Sequence, residues 1–401
     1  MPIDPLELLK DLVAIPSVNP MGRDVSGPEF FETRLSEYLV EFFEQRGIDC
    51  ERIEVVPGRA NVIARIESGD DRPTIVLDAH QDTVPVDGMT IPPFEAKVES
   101  GRLTGRGACD VKGGLAAMLA AAARLADERP AGAYNVVVSC TCDEEATVMG
   151  ISDLVRLWTD DDRNSRLLPS KPDAAVVAEP TELDIVVAHR GATRWKIRTT
   201  GVACHSSRPG DGINAIYRMA RVIECLEEYA GGLADRVDPH PLCGPATMSV
   251  GRIEGGASVN VVPDECLIEV DRRVIPGEDG AAVIDDVAEF LRERIDFDVE
   301  FLPPWLIGLP LPNNGNTAWA ERLLEHVEVA AGPRRLVGVP YGTHASRFAA
   351  SGVPAIVFGP GSIAQAHTKD EFIEIDQLRL AAEIYFQFCA EGGQTVKPPG
   401  S

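Results

Sequence analysis

Four apolar runs of strand length, each ending in polar or charged residues, constrain the fold of this chain more than any other feature. They are RANVIARIES, RPTIVLDAH, AYNVVVSCTCDEE and PDAAVVAEPT, all within residues 59–181. Short apolar runs bounded by turn residues read as buried strands. The Ala-rich segment 113–126, between the second and third runs, reads as a crossover helix. A second helical pattern covers residues 29–47, with Phe30 followed by Leu35, Leu39, Phe42 and Phe43 at mixed three- and four-residue steps and Gly47 as the stop. Strands separated by helices predict an α/β unit with a central, mostly parallel sheet flanked by helices. Ligands of such sheets sit at strand ends, and here the polar residues fall at those ends.

The pattern changes near residue 190. RWKIRTTGVACH, ATMSVGRIEGG and ECLIEVDRRV read as strands, with helical stretches at 213–230 and 279–295. That order predicts a small open-faced α+β sandwich inserted into the larger domain. FLPPWLIGLPLPNNG reads as a return linker, followed by a helix at 316–330, the strand-like VPAIVF and a helix from about 376. The expected domains are therefore 1–187, 188–303 and 304–401, the first and last forming one catalytic unit. VKPPGS reads as a tail.

A balance of 38 basic against 63 acidic residues gives a net charge of −25. Such a chain repels phosphate backbones and anionic lipid, so neither nucleic acid nor membrane is expected as a partner. The longest apolar stretch, GLAAMLAAAARLA, is too short to span a bilayer. The N-terminus MPIDPLELLK lacks a secretory layout. The nine cysteines are scattered, with Cys140 and Cys142 on one strand as small core residues. A reducing, cytoplasmic setting without a disulfide framework is expected.

Asp78, His80 and Asp82 close the strand of LDAHQDTVP, where an unpartnered charge would be costly to bury. Four further stretches bring comparable groups to strand ends or adjoining loops: GRGACDVKGG, TCDEEAT, AEPTE and GPGSIAQAHTKDEF. Together they supply His80, Asp110, Glu144, Glu145, Glu179 and His367. Carboxylate oxygen and imidazole nitrogen are what zinc accepts in a site that keeps a position open for water. Two metals sharing one carboxylate need about five protein ligands, and five remain when one glutamate is reserved as a base. Singly, each motif is weak; a lone H-x-D is more often a solvated turn. GRGACDVKGG is neither a dinucleotide fingerprint nor a Walker loop, since Asp110 holds the third glycine position and Lys112 is followed by Gly-Gly.

In this order the five stretches resemble the aminoacylase, acetylornithine deacetylase, succinyl-diaminopimelate desuccinylase and glutamate carboxypeptidase family of di-zinc hydrolases, over nearly the whole chain. The resemblance implies a zinc-exopeptidase-like fold with a lid domain and two Zn²⁺ per subunit, with cobalt or manganese as substitutes. It assigns His80 and Glu179 to one zinc, Glu145 and His367 to the other, and Asp110 to the bridge. Glu144 matches the family's general base, and Asp82 the carboxylate that orients His80; Asp78 matches no ligand and is expected to pack at the strand end. GVACHSSRPGDGINAI resembles the lid motif whose histidine, here His205, reaches the active site of a neighbouring subunit, which implies a homodimer. SVNVVPD and EVDRRVIPG match the stretches supplying Asn260 and Arg273, which would grip the substrate carboxylate. Arg272, on the opposite strand face, is expected in solvent.

AHRGA, CHSSRP with GINAI, YGTHAS and GPGSIAQAH are similar to the acetylornithine deacetylase branch. That branch implies hydrolysis of a small N-acyl amino acid in amino-acid metabolism, such as arginine biosynthesis. His344 stands where the branch often carries an acidic residue, which bears on the grip on a cationic substrate tail. A desuccinylase, and a dipeptidase or carboxypeptidase, are the alternatives within the family. A metal-free binding relative would have lost ligands or base, yet all six residues are present.

Overall fold

The computed structural model describes residues 3–391; the tail VKPPGS lies outside them. The chain divides into two compact units, one of residues 1–187, 313–337 and 343–401, the other of 188–312 with 338–342.

The first unit is built on an eight-stranded sheet. Its spatial order is Asp49–Val56, Arg59–Ile66, Asn135–Thr141, Thr74–His80, Ala174–Val177, Ala355–Val357, Ile185–His189 and Leu336–Val339. The middle strands, from Asn135–Thr141 to Ala355–Val357, run parallel; antiparallel pairs adjoin them on either side. Parallel strands need both faces covered, and Thr74–His80 is buried from Ile75 onward. Alternation splits that strand between two faces. Ile75, Leu77 and Ala79 join the cluster formed with helices Pro5–Ala14, Lys112–Glu128 and Ile375–Ala390. Asp78 and His80 therefore share the other face.

The Ala-rich segment forms the helix Lys112–Glu128, almost entirely buried. Its small residues let it approach its neighbours closely. A Cβ on Gly114 would lie 2.7 Å from Cβ of Ala178, and one on Gly113 would lie 2.6 Å from the Ala108 carbonyl oxygen. The start of this helix is thus pressed against the residue preceding Glu179. Lys112, fully buried, donates from Nζ to the carbonyls of Leu12 and Ile15 at 2.9 and 2.7 Å, tying this start to the end of the first helix.

The second unit pairs Thr247–Gly255, Glu265–Val274, Gly191–Thr200 and Glu300–Phe301 in that order, with Leu306–Gly308 also on Gly191–Thr200. Helices Ala215–Gly231 and Ala282–Arg292 bury Met219, Val222, Leu226, Val287 and Leu291 with Trp195, Ile268 and Val270 of the sheet. Two expectations are corrected here. The unit runs to residue 312 rather than 303, because the supposed linker contributes the strand Leu306–Gly308. Arg272 is buried, not solvated: it shares the inward face of Glu265–Val274 with Cys266, Ile268, Val270 and Val274. Its charge is met by Glu278 at 2.5 Å and by the Arg273 carbonyl. Arg273 lies on the other face, half-buried, with Nε donating to Asp271 at 2.7 Å.

All nine cysteines carry free thiols. No helix among the described residues is long and apolar enough to cross a membrane.

Candidate functional site

Three strands of the first unit end side by side. Thr74–His80 is in register with Asn135–Thr141 up to the pair His80–Thr141, and with Ala174–Val177 on its other edge. The residues that follow them, together with His80, are Asp82, the Glu144–Glu145 pair and Glu179. Asp110 enters from the loop before Lys112–Glu128, and His367 from the loop after Ala355–Val357.

Within this cluster Asp110 faces two histidines with different oxygens. Its Oδ1 lies 3.1 Å from Nε2 of His80, and its Oδ2 lies 3.2 Å from Nε2 of His367. The latter nitrogen also lies 3.1 Å from Glu145. Three overlapping groups have ligand atoms within 4.8 Å of one another: His80–Asp110–Glu179, Asp110–Glu145–His367 and His80–Glu144–Glu145. All six residues are among those singled out from the sequence.

The electrostatics of the cluster calls for positive charge. Burial, with neighbouring carboxylates adding to it, raises the pKa of Glu144 to about 8 and that of Glu145 to about 7. Burial likewise pushes Glu179 well above the carboxylate range, with Asp110 and Glu144 adding to it. Hydrogen bonds to Asp110 and Glu145 raise His367 to about 10. Four carboxylates crowded out of water can all be ionised only if cations lie among them.

The tautomer of His80 fits a cation. Its Nδ1 lies 2.9 Å from the backbone carbonyl of Asp82, so Nδ1 carries a proton and Nε2 is the nitrogen turned toward Asp110. Asp82 meets His80 with two of its groups. Its carbonyl makes the close contact with His80, while its carboxylate is 3.6 Å away. The carboxylate also accepts from the amides of Glu144 and Glu145 at 3.0 and 3.1 Å. One residue thus orients the imidazole with its backbone and the glutamate pair with its side chain.

Two further supports lie around the cluster, and the first of them was not singled out from the sequence. Glu371, fully buried, accepts from the amides of Gly107, Cys109 and Asp110 and from Arg106, at 2.7–3.0 Å. Its only signal was its place in the stretch carrying His367. His344, 1% exposed, donates from Nδ1 to the buried Asp78 at 2.8 Å, and its ring lies edge-on to that of His80, 6.4 Å between centroids. Asp78 thus has a partner at the strand end, and His344 is held inside the first unit.

His205, Asn260 and Arg273 belong to the second unit. His205 and Asn260 adjoin on a short ribbon, Cys204–His205 against Val261–Val262, and both are exposed. The amide of Ser207 donates to Nδ1 of His205 at 3.1 Å, which leaves the ring proton on Nε2.

The sequence and the fold have known relatives. The Peptidase family M20/M25/M40 matches residues 76–391. Acetylornithine deacetylase of Pectobacterium carotovorum subsp. carotovorum (strain PC1) is 31% identical over 409 residues, covering 96% of this chain and 97% of that one. Acetylornithine deacetylase of Vibrio atlanticus (strain LGP32) is 30% identical over 385 residues, covering 92% and 94%. Among solved structures, an M20 family metallo-carboxypeptidase from Sulfolobus solfataricus superposes with a TM-score of 0.74 at 20% identity, covering 97% of this chain and 99% of that one. A dinuclear metal binding peptidase of the same family from Bacillus subtilis superposes with a TM-score of 0.67 at 19% identity, covering 96% of each. The chain belongs to peptidase family M20/M25/M40 and is a hydrolase acting on amide bonds.

Proposed function

We propose that this hydrolase removes the acyl group from a small N-acyl amino acid, in the manner of the acetylornithine deacetylases it resembles. The observation that carries the reading is the double-faced Asp110, with His80 and Glu179 on one side and Glu145 and His367 on the other. These residues would hold two divalent cations, zinc in the first instance. A bound pair would lower the proton affinity of a water and draw charge from the amide carbonyl. Glu144, the remaining carboxylate, takes the proton of the attacking water and hands it to the leaving amine. A carboxylate held at the edge of the cluster, where burial raises its affinity for a proton, serves both steps.

In the second unit, the Nε2–H of His205 is ready to donate to the oxyanion, while Asn260 and Arg273 grip the substrate carboxylate, Arg273 through its fork. His205 would act in the site of a second subunit. The outer strand Thr247–Gly255 of the small sheet is largely exposed, and Val259, Tyr217 and Ile253 stand 100%, 71% and 54% exposed. An unpaired edge with apolar neighbours favours association of two copies.

The test is a panel of N-acetyl amino acids, N-succinyl amino acids and dipeptides, run on zinc-loaded protein beside metal analysis. Amine release from the N-acetyl compounds is expected, with about two zinc ions per chain. Cleavage of dipeptides alone would refute the deacylase reading, and a chain that binds no metal and turns over nothing would be a binding relative. Glu144→Gln is expected to cost about 10²–10⁴ in turnover at unchanged metal content; substantial activity would refute its assignment as base.

A further inference from the structure

Behind the Glu144–Glu145 turn lies a buried polar network with no part in the chemistry above. Asn19 follows the first helix, Glu32 precedes the helix Thr33–Glu44, and Arg59 opens the strand Arg59–Ile66. Asp143 lies just beyond the strand Asn135–Thr141. All four side chains are nine-tenths or more buried, and so is Asp82.

The contacts form one continuous path. Arg59 presents Nε and Nη2 to the carboxylate of Glu32, Nε at 2.9 Å, and Nη1 to Asp143 at 2.5 Å. The Asp143 amide returns to Glu32 at 3.1 Å. Asn19 spends the two hydrogens of Nδ2 on two different carboxylates, Asp82 at 2.8 Å and Asp143 at 2.9 Å. Asp143 also accepts from the amide and hydroxyl of Thr147, closing the turn around the glutamate pair. The path ends on the amides of Glu144 and Glu145, which Asp82 holds.

Two features set this apart from an ordinary buried ion pair. Asp143 has φ of +61°, a left-handed conformation that aspartate adopts more readily than most side chains, and here both its amide and its carboxylate are engaged in holding it. The network also uses the geometry particular to arginine. A planar fork can meet one carboxylate with two nitrogens and a second carboxylate with the third; a lysine ammonium cannot. Removing the fork would leave Glu32 and Asp143 buried without their shared partner and free the turn to shift.

We propose that Arg59 is a positioning residue for amide hydrolysis: through Asp143 and Asn19 it fixes the turn on which Glu144 and Glu145 ride. The inference rests on Glu144 acting as the base. Arg59→Lys keeps the charge and loses the fork; Asn19→Ala removes the bridge without altering charge, and carries the test should the lysine variant not fold. Two readouts are taken on each: kcat and KM on an N-acetyl amino acid, and hydrogen exchange of residues 143–147 in metal-stripped protein, with Thr74–His80 as the internal control.

The expected result is a fall in kcat of about 10²-fold, the scale of an ångström-sized misplacement, with KM within about threefold. Exchange should quicken at Glu144 and Glu145 and not in the control strand. A folded variant with wild-type kcat and unchanged exchange would overturn the proposal. So would faster exchange throughout the unit with activity lost only in proportion to unfolded protein, the behaviour of a merely structural pair. Glu144→Gln is measured alongside. Full turnover by that variant would sink the base assignment, and exchange at the two glutamate amides would still decide the role of Arg59.

Discussion

Glu371 offers a sharp test of how Asp110 is held. Its Oε1 accepts from the amides of Cys109 and Asp110, and its Oε2 from the Gly107 amide and Arg106 Nη1. Glu371→Gln preserves the shape and replaces one oxygen by an NH2 group. Whichever way the amide turns, that group faces two donors, so two hydrogen bonds to a charged acceptor are lost, each worth about 1.5–3 kcal/mol. If the lost pair is the one on Oε2, Arg106 becomes a buried unpaired cation, a penalty of about 3–5 kcal/mol. The two figures describe overlapping interactions and do not add, so we expect a loss of about 4 kcal/mol. Against a typical stability of about 5–15 kcal/mol, the variant still folds. Urea unfolding of metal-stripped protein should show the midpoint falling by about 1–2 M at a slope of about 2–3 kcal/mol per molar. Adding Arg106→Met removes the stranded charge and should restore about half of the loss. An unchanged midpoint in Glu371→Gln would refute the assignment of Glu371 as the clamp. A double variant no more stable than the single one would refute the stranded guanidinium as the cause.

The remaining predictions concern other buried charges. Burial holds Lys112 down at about 7, against 10.5 for an ordinary lysine. Between those values the unfolded chain keeps a proton that the folded one gives up, so this group's contribution to stability rises with pH from about 7 to 10.5 and is flat below, where both states are protonated. Lys112→Met should flatten that rise, and parallel stability–pH curves for the two proteins would refute it. In the second unit, Arg272→Ala should cost about 3–5 kcal/mol by stranding Glu278. Arg273→Ala, on the half-exposed face, should cost less than about 1 kcal/mol while raising KM for substrates with a free carboxylate. Equal losses of stability from the two variants would refute the reading of the strand faces.

The sequence carried the parts of this architecture that depend on local pattern. The strand ends were legible because an apolar run broken by charge is visible within ten residues, and His80, Glu144, Glu145 and Glu179 sit at such breaks, with Asp110 and His367 on loops. Burial at Arg272 was not, although alternation from Ile268 and Val270 puts it on the inner face. An arginine there needs a partner, and Glu278 lies beyond the strand's end, where strand periodicity says nothing. Asp82 was legible as a support, but which of its groups lies closer to His80 depends on the turn's backbone. Glu32, Arg59 and Asn19 carry no motif at all; they meet Asp143 only because strands distant in sequence adjoin in the sheet. The strand Leu306–Gly308 was hidden by the prolines around it, which read as linker.

The insertion of Ala355–Val357 between Ala174–Val177 and Ile185–His189 has a consequence for the order in which the protein is made. The two strands flanking that slot leave the ribosome well over a hundred residues before the strand that fills it, and His367 follows later still. A nascent chain halted before residue 355 would hold His80, Glu145 and Glu179 on a sheet with a gap at its heart. The acidic cluster therefore reaches its full set of side chains only after Ala355–Val357 and the loop carrying His367 have been made, well over a hundred residues after the strands that hold the rest.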